Sequence, residues 1–246
     1  MRIALLTDIH GNREAFKACL DDARARGVDR LVLLGDYVGY GADPEWCVHR
    51  VMEEVSKGAA AVLGNHDAAV NDDREGMNSN AKITMTWTRG QLGAEERAFL
   101  AGLPMEVRDG MRLYVHSDPA APTRWHYVMD GADAANSLRG TAAQATFVGH
   151  VHRPAIYAIA STGKITNFVP VTGTPVPLLS QRRWLVVVGS VGQPRDGNPA
   201  AAYSIYDDHT TEITSIRVPY DIDAAAAKIV AAGLPEVLGR RLKQGL

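Results

Sequence analysis

Met1-Arg2-Ile3-Ala4-Leu5-Leu6-Thr7-Asp8-Ile9-His10-Gly11-Asn12 opens the chain, and its reading sets the rest. Ile3-Ala4-Leu5-Leu6 is a short unbroken apolar run, the pattern of a buried strand. A carboxylate and an imidazole, Asp8 and His10, stand just beyond its end. The same arrangement recurs along the chain. Leu31-Val32-Leu33-Leu34 leads to Asp36, Ala59-Ala60-Ala61-Val62-Leu63 to Asn65, Leu113-Tyr114-Val115 to His116, and Thr146-Phe147-Val148 to His150 and His152. Ligands of open α/β sheets bind at the carboxyl ends of strands. Strand ends of this kind would therefore deliver oxygen and imidazole donors to one edge, in a number that suits two metal ions.

The elements between these motifs support alternation of strand and helix over residues 1–70. A helix is predicted after Gly11-Asn12, burying Phe16, Cys19, Leu20 and Ala23 and stopping at Gly27. A second has Asp43 as N-cap, Pro44 in its first turn and Gly58 past its end, with Cys47, Val51 and Val55 on one face. Residues 71–103 read as polar helix broken at Gly90, Gly93 and Gly102. Strands are expected near 105–116 and 145–149, separated by a loop at 117–130 and a short helix at 131–139. From 154 to 219 the pattern is mainly β, with runs at 156–160, 165–169, 184–188, 202–206 and 213–218. Two helical pieces follow, near 223–232 and 235–244. At 246 residues one layered domain spanning 1–246 is expected, closed by C-terminal helices over about 221–246.

Composition removes several functions. The chain is 46% hydrophobic and 22% charged with a net charge of −2, which gives no bulk surface for nucleic acid. No apolar run approaches the roughly 18 residues of a membrane span, and the N-terminal run is too short for a signal peptide. Cys19 and Cys47 sit at helical positions and read as small buried hydrophobes. A cytoplasmic location is the expectation. The apolar C-terminal positions Ile229, Val230, Leu234, Val237 and Leu238 would pack on this chain or on a second copy in a homo-oligomer.

The donor set itself constrains the chemistry. Asp8, His10, Asp36, Asn65, His116, His150 and His152 contain no thiolate, which suits manganese, iron or zinc and disfavours a structural zinc site. They exceed the needs of one tetrahedral ion and fit two ions sharing a carboxylate. Two ions about 3.5–4 Å apart are the usual device for displacement at phosphorus.

Taken in order, Asp8-Ile9-His10, Gly35-Asp36, Gly64-Asn65-His66-Asp67, His116 and Gly149-His150-Val151-His152 resemble the calcineurin-like metallophosphoesterase superfamily, and most closely its compact bacterial branch of predicted phosphoesterases. The resemblance implies an α/β (α+β) fold, a four-layer sandwich of two mixed sheets flanked by helices, with a dinuclear metal site at the strand ends. It implies that Asp8, His10 and His152 hold one ion, that Asn65, His116 and His150 hold the other, and that Asp36 bridges them. The ions are expected to be manganese, with iron, zinc or nickel as alternatives. The family's proton-donating or phosphate-contacting histidine falls on His66, with Asp67 beside it as a further catalytic position. Two positions depart from the common pattern: Ser117 follows His116 where Gly is frequent, and Arg13 follows Asn12 where an apolar residue is frequent. The stretch Gly189-Ser190-Val191-Gly192-Gln193-Pro194-Arg195-Asp196 also resembles a block of that branch.

Arg13, Asn65 and Arg195 are the candidate substrate contacts, since a guanidinium can clamp a phosphate. Arg153 is a weaker one. His49, His126 and His209 read as structural or surface residues, and the run at 184–188 as core strand. Tyr37 and Tyr40 read as packing of the loop after Asp36. The substrate expected is a small phosphodiester or nucleotide-like phosphoester, with Trp125 and Tyr127 available to stack on a base. A phosphomonoester, including a phosphoprotein, is the alternative. A non-catalytic scaffold is disfavoured because all the ligands and His66 are present. Pro154 excludes a His-x-His-x-Asp-His site, and the strand-end context of His66-Asp67 excludes a helix-borne His-Asp site.

Overall fold

In the first strand, β1 (Arg2–Leu6), Ile3 and Leu5 point one way and Ala4 and Leu6 the other, and all four are fully buried. A strand covered on both faces needs apolar residues at every position, which is why it reads as an unbroken run. The computed structural model describes residues 1–72 and 78–246. The part of the expected 71–103 helical region at 73–77 lies outside the described residues.

In chain order β1 is followed by α1 (Arg13–Ala25), β2 (Arg30–Leu33), α2 (Pro44–Ser56), β3 (Ala60–Ala61), the single turn α3 (Asn65–Ala68), α4 (Ser79–Gln91) and α5 (Ala94–Ala101). The hairpin β4 (Glu106–Asp109) and β5 (Arg112–Val115) precedes α6 (Gly131–Arg139), β6 (Ala145–Val148), β7 (Ala155–Ala160), β8 (Ile165–Phe168) and β9 (Pro175–Pro177). Then come β10 (Arg182–Val187), β11 (Ala201–Asp207), β12 (Glu212–Val218), α7 (Ile222–Ala231) and α8 (Glu236–Gln244).

The strands form two mixed six-stranded sheets, ordered β3-β2-β1-β11-β12-β9 and β4-β5-β6-β10-β7-β8. Ile3, Leu5, Val32 and Leu34 of the first pack against Tyr114, Phe147, Ile156 and Val186 of the second to make the central core. Outside, Ala4, Leu6 and Leu33 meet Phe16, Cys19, Cys47 and Val51 of the first two helices. On the opposite side α6 covers Leu113, Leu185 and Val187. This is the α/β sandwich the sequence implies.

Sheet order explains the site. β1, β2 and β3 are mutually parallel neighbours, and so are β5, β6 and β10. The loops bearing Asp8, Asp36 and Asn65 leave one edge of the first sheet together. Those bearing His116, His150 and His152 leave the corresponding edge of the second.

Several local expectations change. The strand expected at 105–116 is a hairpin, because Gly110 takes the left-handed conformation (φ 59°) that a tight reversal needs. Gly90 lies inside α4 and does not break it. Strand β9 was not expected; its prolines are tolerated because it pairs only at the edge of its sheet. Asp43 does not cap α2 with its side chain. Its carboxylate instead accepts from Lys228 Nζ at 2.8 Å, and Glu14 accepts from the same ammonium at 2.6 Å, so α7 is tied to α1 and α2. Ile229, Leu234, Leu238 and Leu242 of the C-terminal helices are buried against Tyr40 and Ala81 of this chain, leaving Val230 exposed. No helix of the described residues is long and apolar enough to cross a membrane.

Candidate metal centre

The backbone at the sheet edge is unusual. Asp8, His10, Asp36, His150 and His152 all have positive φ, at 53°, 51°, 57°, 67° and 62°. An L-residue held there costs about 1–2 kcal/mol, and such outliers gather at functional sites. Main-chain bonds between loops hold them in place. Asp8 N donates to Gly35 O at 3.0 Å, His10 N to Asp36 O at 2.9 Å, and Gly11 N to Tyr37 O at 2.9 Å. The block after β10 completes the clamp: Val191 N donates to Thr7 O at 3.0 Å, Gly192 N to Asp8 O at 2.8 Å and Ser190 Oγ to Asp8 O at 3.0 Å. Gly192 must be glycine, because a Cβ there would overlap the Ile9 carbonyl.

The side chains converge as two groups. In one, His152 Nε2 lies 3.2 Å from Asp8 Oδ1 and 3.1 Å from His10 Nε2. In the other, His116 Nε2 lies 3.2 Å from both His150 Nδ1 and Asn65 Oδ1. Asp36 Oδ2 stands between them, 3.3 Å from His116 Nε2 and 3.7 Å from His10 Nε2. Asp8, His10, Asp36, His116 and His152 are all buried.

The second nitrogen of each ring is already occupied. His10 Nδ1 donates to Val38 O (3.0 Å), His116 Nδ1 to Leu34 O (2.7 Å), His152 Nδ1 to Gln193 O (2.6 Å) and His150 Nε2 to Trp125 O (2.9 Å). In their neutral forms, rings held this way would present bare lone pairs to one another at 3.1–3.2 Å. Lone pairs facing each other in a buried site call for a cation. Donor atoms about 2.1 Å from a metal and 90–109° apart lie roughly 3.0–3.4 Å from each other, so the spacing fits. A carbonyl behind each ligating imidazole is the usual second shell of a metal site.

Electrostatics agree. Burial opposes ionisation of Asp8, but His152 overrides it and holds the carboxyl below its ordinary value. Burial likewise opposes ionisation of Asp36, and His116 and His66 override it, leaving this acid well below its usual range. Burial drives His150 down to about 3 and His10 well below its ordinary value. His116 is the exception among them: Asp36 beside it outweighs burial and raises it to about 9, so at neutral pH this ring carries a proton that a bound metal would have to displace. Ionised carboxylates and neutral imidazoles are the forms in which metals are bound.

The remaining predicted residues fall in distinct places. His66 is buried, its ring 4.9 Å from His10 and 4.7 Å from Tyr40, and its Nδ1 has no hydrogen-bond partner. Its main-chain N–H donates to Asp36 Oδ1 at 2.8 Å. Gly39 makes room for the ring, since a Cβ there would collide with Nδ1. Asp67 is turned away from the ligands. It accepts main-chain N–H bonds from Asp36 (2.7 Å), Tyr37 (2.8 Å) and Gly64 (3.0 Å), so it holds the loop that carries Asp36. Burial and the Asp36 charge push its carboxyl up to about 7 against those donors. Asp67→Ala is expected to leave three buried donors unpaired and cost about 3–4 kcal/mol, lowering Tm by roughly 10 °C. A loss below about 1 kcal/mol in thermal melting would show that the loop is held by other contacts.

Arg13 does not join the ligands. Its exposed guanidinium lies over the Trp46 ring at 4.9 Å, because the first turn of α1 faces α2 at this point. Arg195 does face the site. Its guanidinium donates to Gln193 Oε1 at 2.8 Å and lies 5.7 Å from the Tyr40 ring centre. Arg153 Nε donates to Arg195 O at 2.7 Å. Tyr37 packs the loop as expected, donating to Val62 O and placing its ring in the core. Tyr40 does more: its ring touches His10 and His66 on one side and the C-terminal helices on the other. Tyr127 stacks on His150 with ring centres 4.1 Å apart and an angle of 11°, and is 50% exposed. Trp125 stands edge-on to His116 at 6.0 Å.

A sandwich of two mixed sheets with this ligand set at one edge defines a metal-dependent phosphoester hydrolase. The chain belongs to the calcineurin-like phosphoesterase superfamily, whose domain model matches residues 1–210. It is 34% identical to an uncharacterized protein of Methanocaldococcus jannaschii, over 99% of this chain and 98% of that protein. It is also similar to a metallophosphoesterase from Sphaerobacter thermophilus of known structure, with 36% identity, a TM-score of 0.88, and coverage of 100% of this chain and 99% of the other. A hypothetical protein from Pyrococcus horikoshii OT3 shares the fold at 20% identity and a TM-score of 0.79, over 100% of this chain and 98% of the other.

Proposed function

We propose that this protein hydrolyses a phosphodiester or a nucleotide-like phosphoester at a centre for two divalent ions. The observation that carries the reading is the pair of converging donor groups with Asp36 Oδ2 facing both. Asp8, His10 and His152 would hold one ion, and Asn65, His116 and His150 the other, with Asp36 shared. Manganese is the first choice; iron, zinc or nickel would also suit imidazole and carboxylate donors. Two such ions, when bound, would polarise the phosphoryl oxygens and activate the attacking water.

The chain's own residues do the rest. His66, buried beside His10 with Nδ1 unpartnered, is placed to meet the leaving oxygen and give it a proton. Asp67 acts through Asp36, as a positioning residue. Arg195 offers a guanidinium to the substrate phosphate, and Asn65 contributes its amide. Tyr127 favours a nucleotide-like substrate: one ring face covers His150 and half of its surface stays open for a base. A phosphomonoester remains the second reading, because the two-ion centre does not itself discriminate. A small substrate is consistent with a cytoplasmic protein. A homo-oligomer built on the C-terminal helices would have to use their outer face, near Val230, since their inner face is covered.

Protein stripped of metal by chelation should lose hydrolysis of bis-p-nitrophenyl phosphate and p-nitrophenyl phosphate, and regain it on adding Mn²⁺. The ratio of the two rates assigns diester or monoester. Turnover that survives stripping, with metal absent by elemental analysis, would end the reading.

A further inference from the structure

Tyr40 stands where the metal centre meets the C-terminal helices, and its backbone gives the first sign of a role. Gly41 N donates to Gly39 O at 2.8 Å and closes a three-residue turn with Tyr40 at its apex, where φ is 63°. Glycine takes this conformation freely, and a residue with a side chain seldom does. Here glycines flank the apex and a tyrosine occupies it. A Cβ at Gly39 would overlap His66 Nδ1, and one at Gly41 would overlap the His10 carbonyl oxygen, so the turn lies directly on both histidines. A strained apex that keeps a bulky residue directs attention to the side chain.

That side chain is 5% exposed. Its ring centre lies 4.7 Å from the ring of His10, edge-on at 64°, and 4.7 Å from that of His66, tilted by 53°. Ala225 and Ile229 of α7 and Leu238 and Leu242 of α8 join it in one buried apolar cluster, so the two helices back the ring. His66 needs such a support. Each of the four ligand imidazoles has a main-chain oxygen behind its second nitrogen, at 2.6–3.0 Å. Among the described residues His66 Nδ1 has no such partner. The main-chain N–H of His66 is tied to Asp36, but its ring is free to turn about χ1 and χ2 except where the rings of Tyr40 and His10 bound it. A buried ring without a hydrogen bond keeps one rotamer through packing alone.

We propose that Tyr40 is a positioning residue: its ring, braced by the C-terminal helices, holds the His66 imidazole in the orientation that meets the leaving oxygen. The proposal rests on the phosphoesterase reading above. It gives α7 and α8, which lie beyond residues 1–210 of the family match, a part in the reaction although none of the candidate ligands is on them.

The test uses manganese-loaded full-length protein with bis-p-nitrophenyl phosphate and with thymidylyl-3′,5′-thymidine, whose leaving group is an alkoxide. Tyr40→Leu keeps an apolar side chain against the helices and removes the ring. It should lower kcat on the dinucleotide about tenfold to a hundredfold, with KM changed by less than about threefold and the metal content of the wild type retained. The defect on bis-p-nitrophenyl phosphate should stay within about threefold, because that leaving group needs no proton. Tyr40→Phe, which restores the ring, should recover most of the lost rate. In a His66→Ala background Tyr40→Leu should cost less than about twofold more, since the two residues act as a unit. Full additivity of the two losses overturns the proposal. So does a rise in KM alone, which would assign Tyr40 to Arg195, 5.7 Å from its ring, and so does loss of metal, which would assign it to His10. If the wild type hydrolyses neither ester, the phosphoesterase reading fails, and nuclear magnetic resonance of zinc-loaded protein labelled with nitrogen-15 histidine decides the positioning. There the His66 ring signal, assigned by its loss in His66→Ala, should broaden or split in Tyr40→Leu and stay single in Tyr40→Phe. A single sharp signal in both variants overturns the proposal.

Discussion

Asp36→Asn is expected to abolish metal-dependent hydrolysis, with a loss above about 10³-fold, or roughly 4 kcal/mol of transition-state stabilisation. The carboxylate has two tasks. Oδ1 accepts the His66 main-chain N–H at 2.8 Å, and Oδ2 faces His116 and His10. An amide can keep the first bond only by turning its NH₂ toward the imidazoles. Donor hydrogens would then occupy the side where lone pairs converge, and the negative charge would be gone. Bound metal should fall from two ions per chain to one or fewer by elemental analysis, while Tm of the metal-free protein changes little by comparison. A variant that keeps two ions and a rate within tenfold of wild type would remove Asp36 from the shared position.

His66→Ala should lower kcat by about 10²–10⁴-fold with both ions retained, the range of a lost general acid. Its ring lies beside His10 and Tyr40, and its nitrogen comes within 4.8 Å of the donor atoms of His10 and Asp36, so metal content is measured alongside the rate. The loss should depend on the leaving group. p-Nitrophenolate leaves readily without a proton, and an alkoxide does not. The defect should therefore be at least tenfold smaller for the p-nitrophenyl ester than for an alkyl ester of the same phosphate. Equal defects on both esters would show that His66 positions its neighbours and does not donate a proton.

The convergence of these donors was legible in the sequence because each obeys a local rule. A strand buried on both faces is an unbroken apolar run, and the loop after it carries the donor. Asp8, Asp36 and His116 could be placed at one edge on that pattern alone. The residues that support them could not. The acceptors behind the imidazoles are main-chain oxygens of Val38, Leu34, Gln193 and Trp125, and any residue has such an oxygen. Asp67 was read as catalytic from its adjacency to His66, yet successive residues of a helical turn point apart, and its carboxylate meets the Asp36 loop. Arg13 was read as a substrate contact, and its first-turn position sets its guanidinium over Trp46. Tyr40 gains its place from the docking of α8, a contact between segments some two hundred residues apart with no shared motif. Strand β9 escaped notice because proline hides an edge strand from pattern reading.

The main-chain support of the imidazoles has an evolutionary consequence. A carbonyl acceptor persists through nearly any substitution at its own position, provided the backbone path is kept. Substitution at 34, 38, 125 or 193 is constrained by packing around the side chain, as in the core at Leu34 and Val38, and leaves the oxygen that orients the imidazole in place. Inheritance of the reaction is thereby separated from inheritance of its specificity. The fold copies the reactive centre from one descendant to the next, and selection is left free to redraw the walls around it.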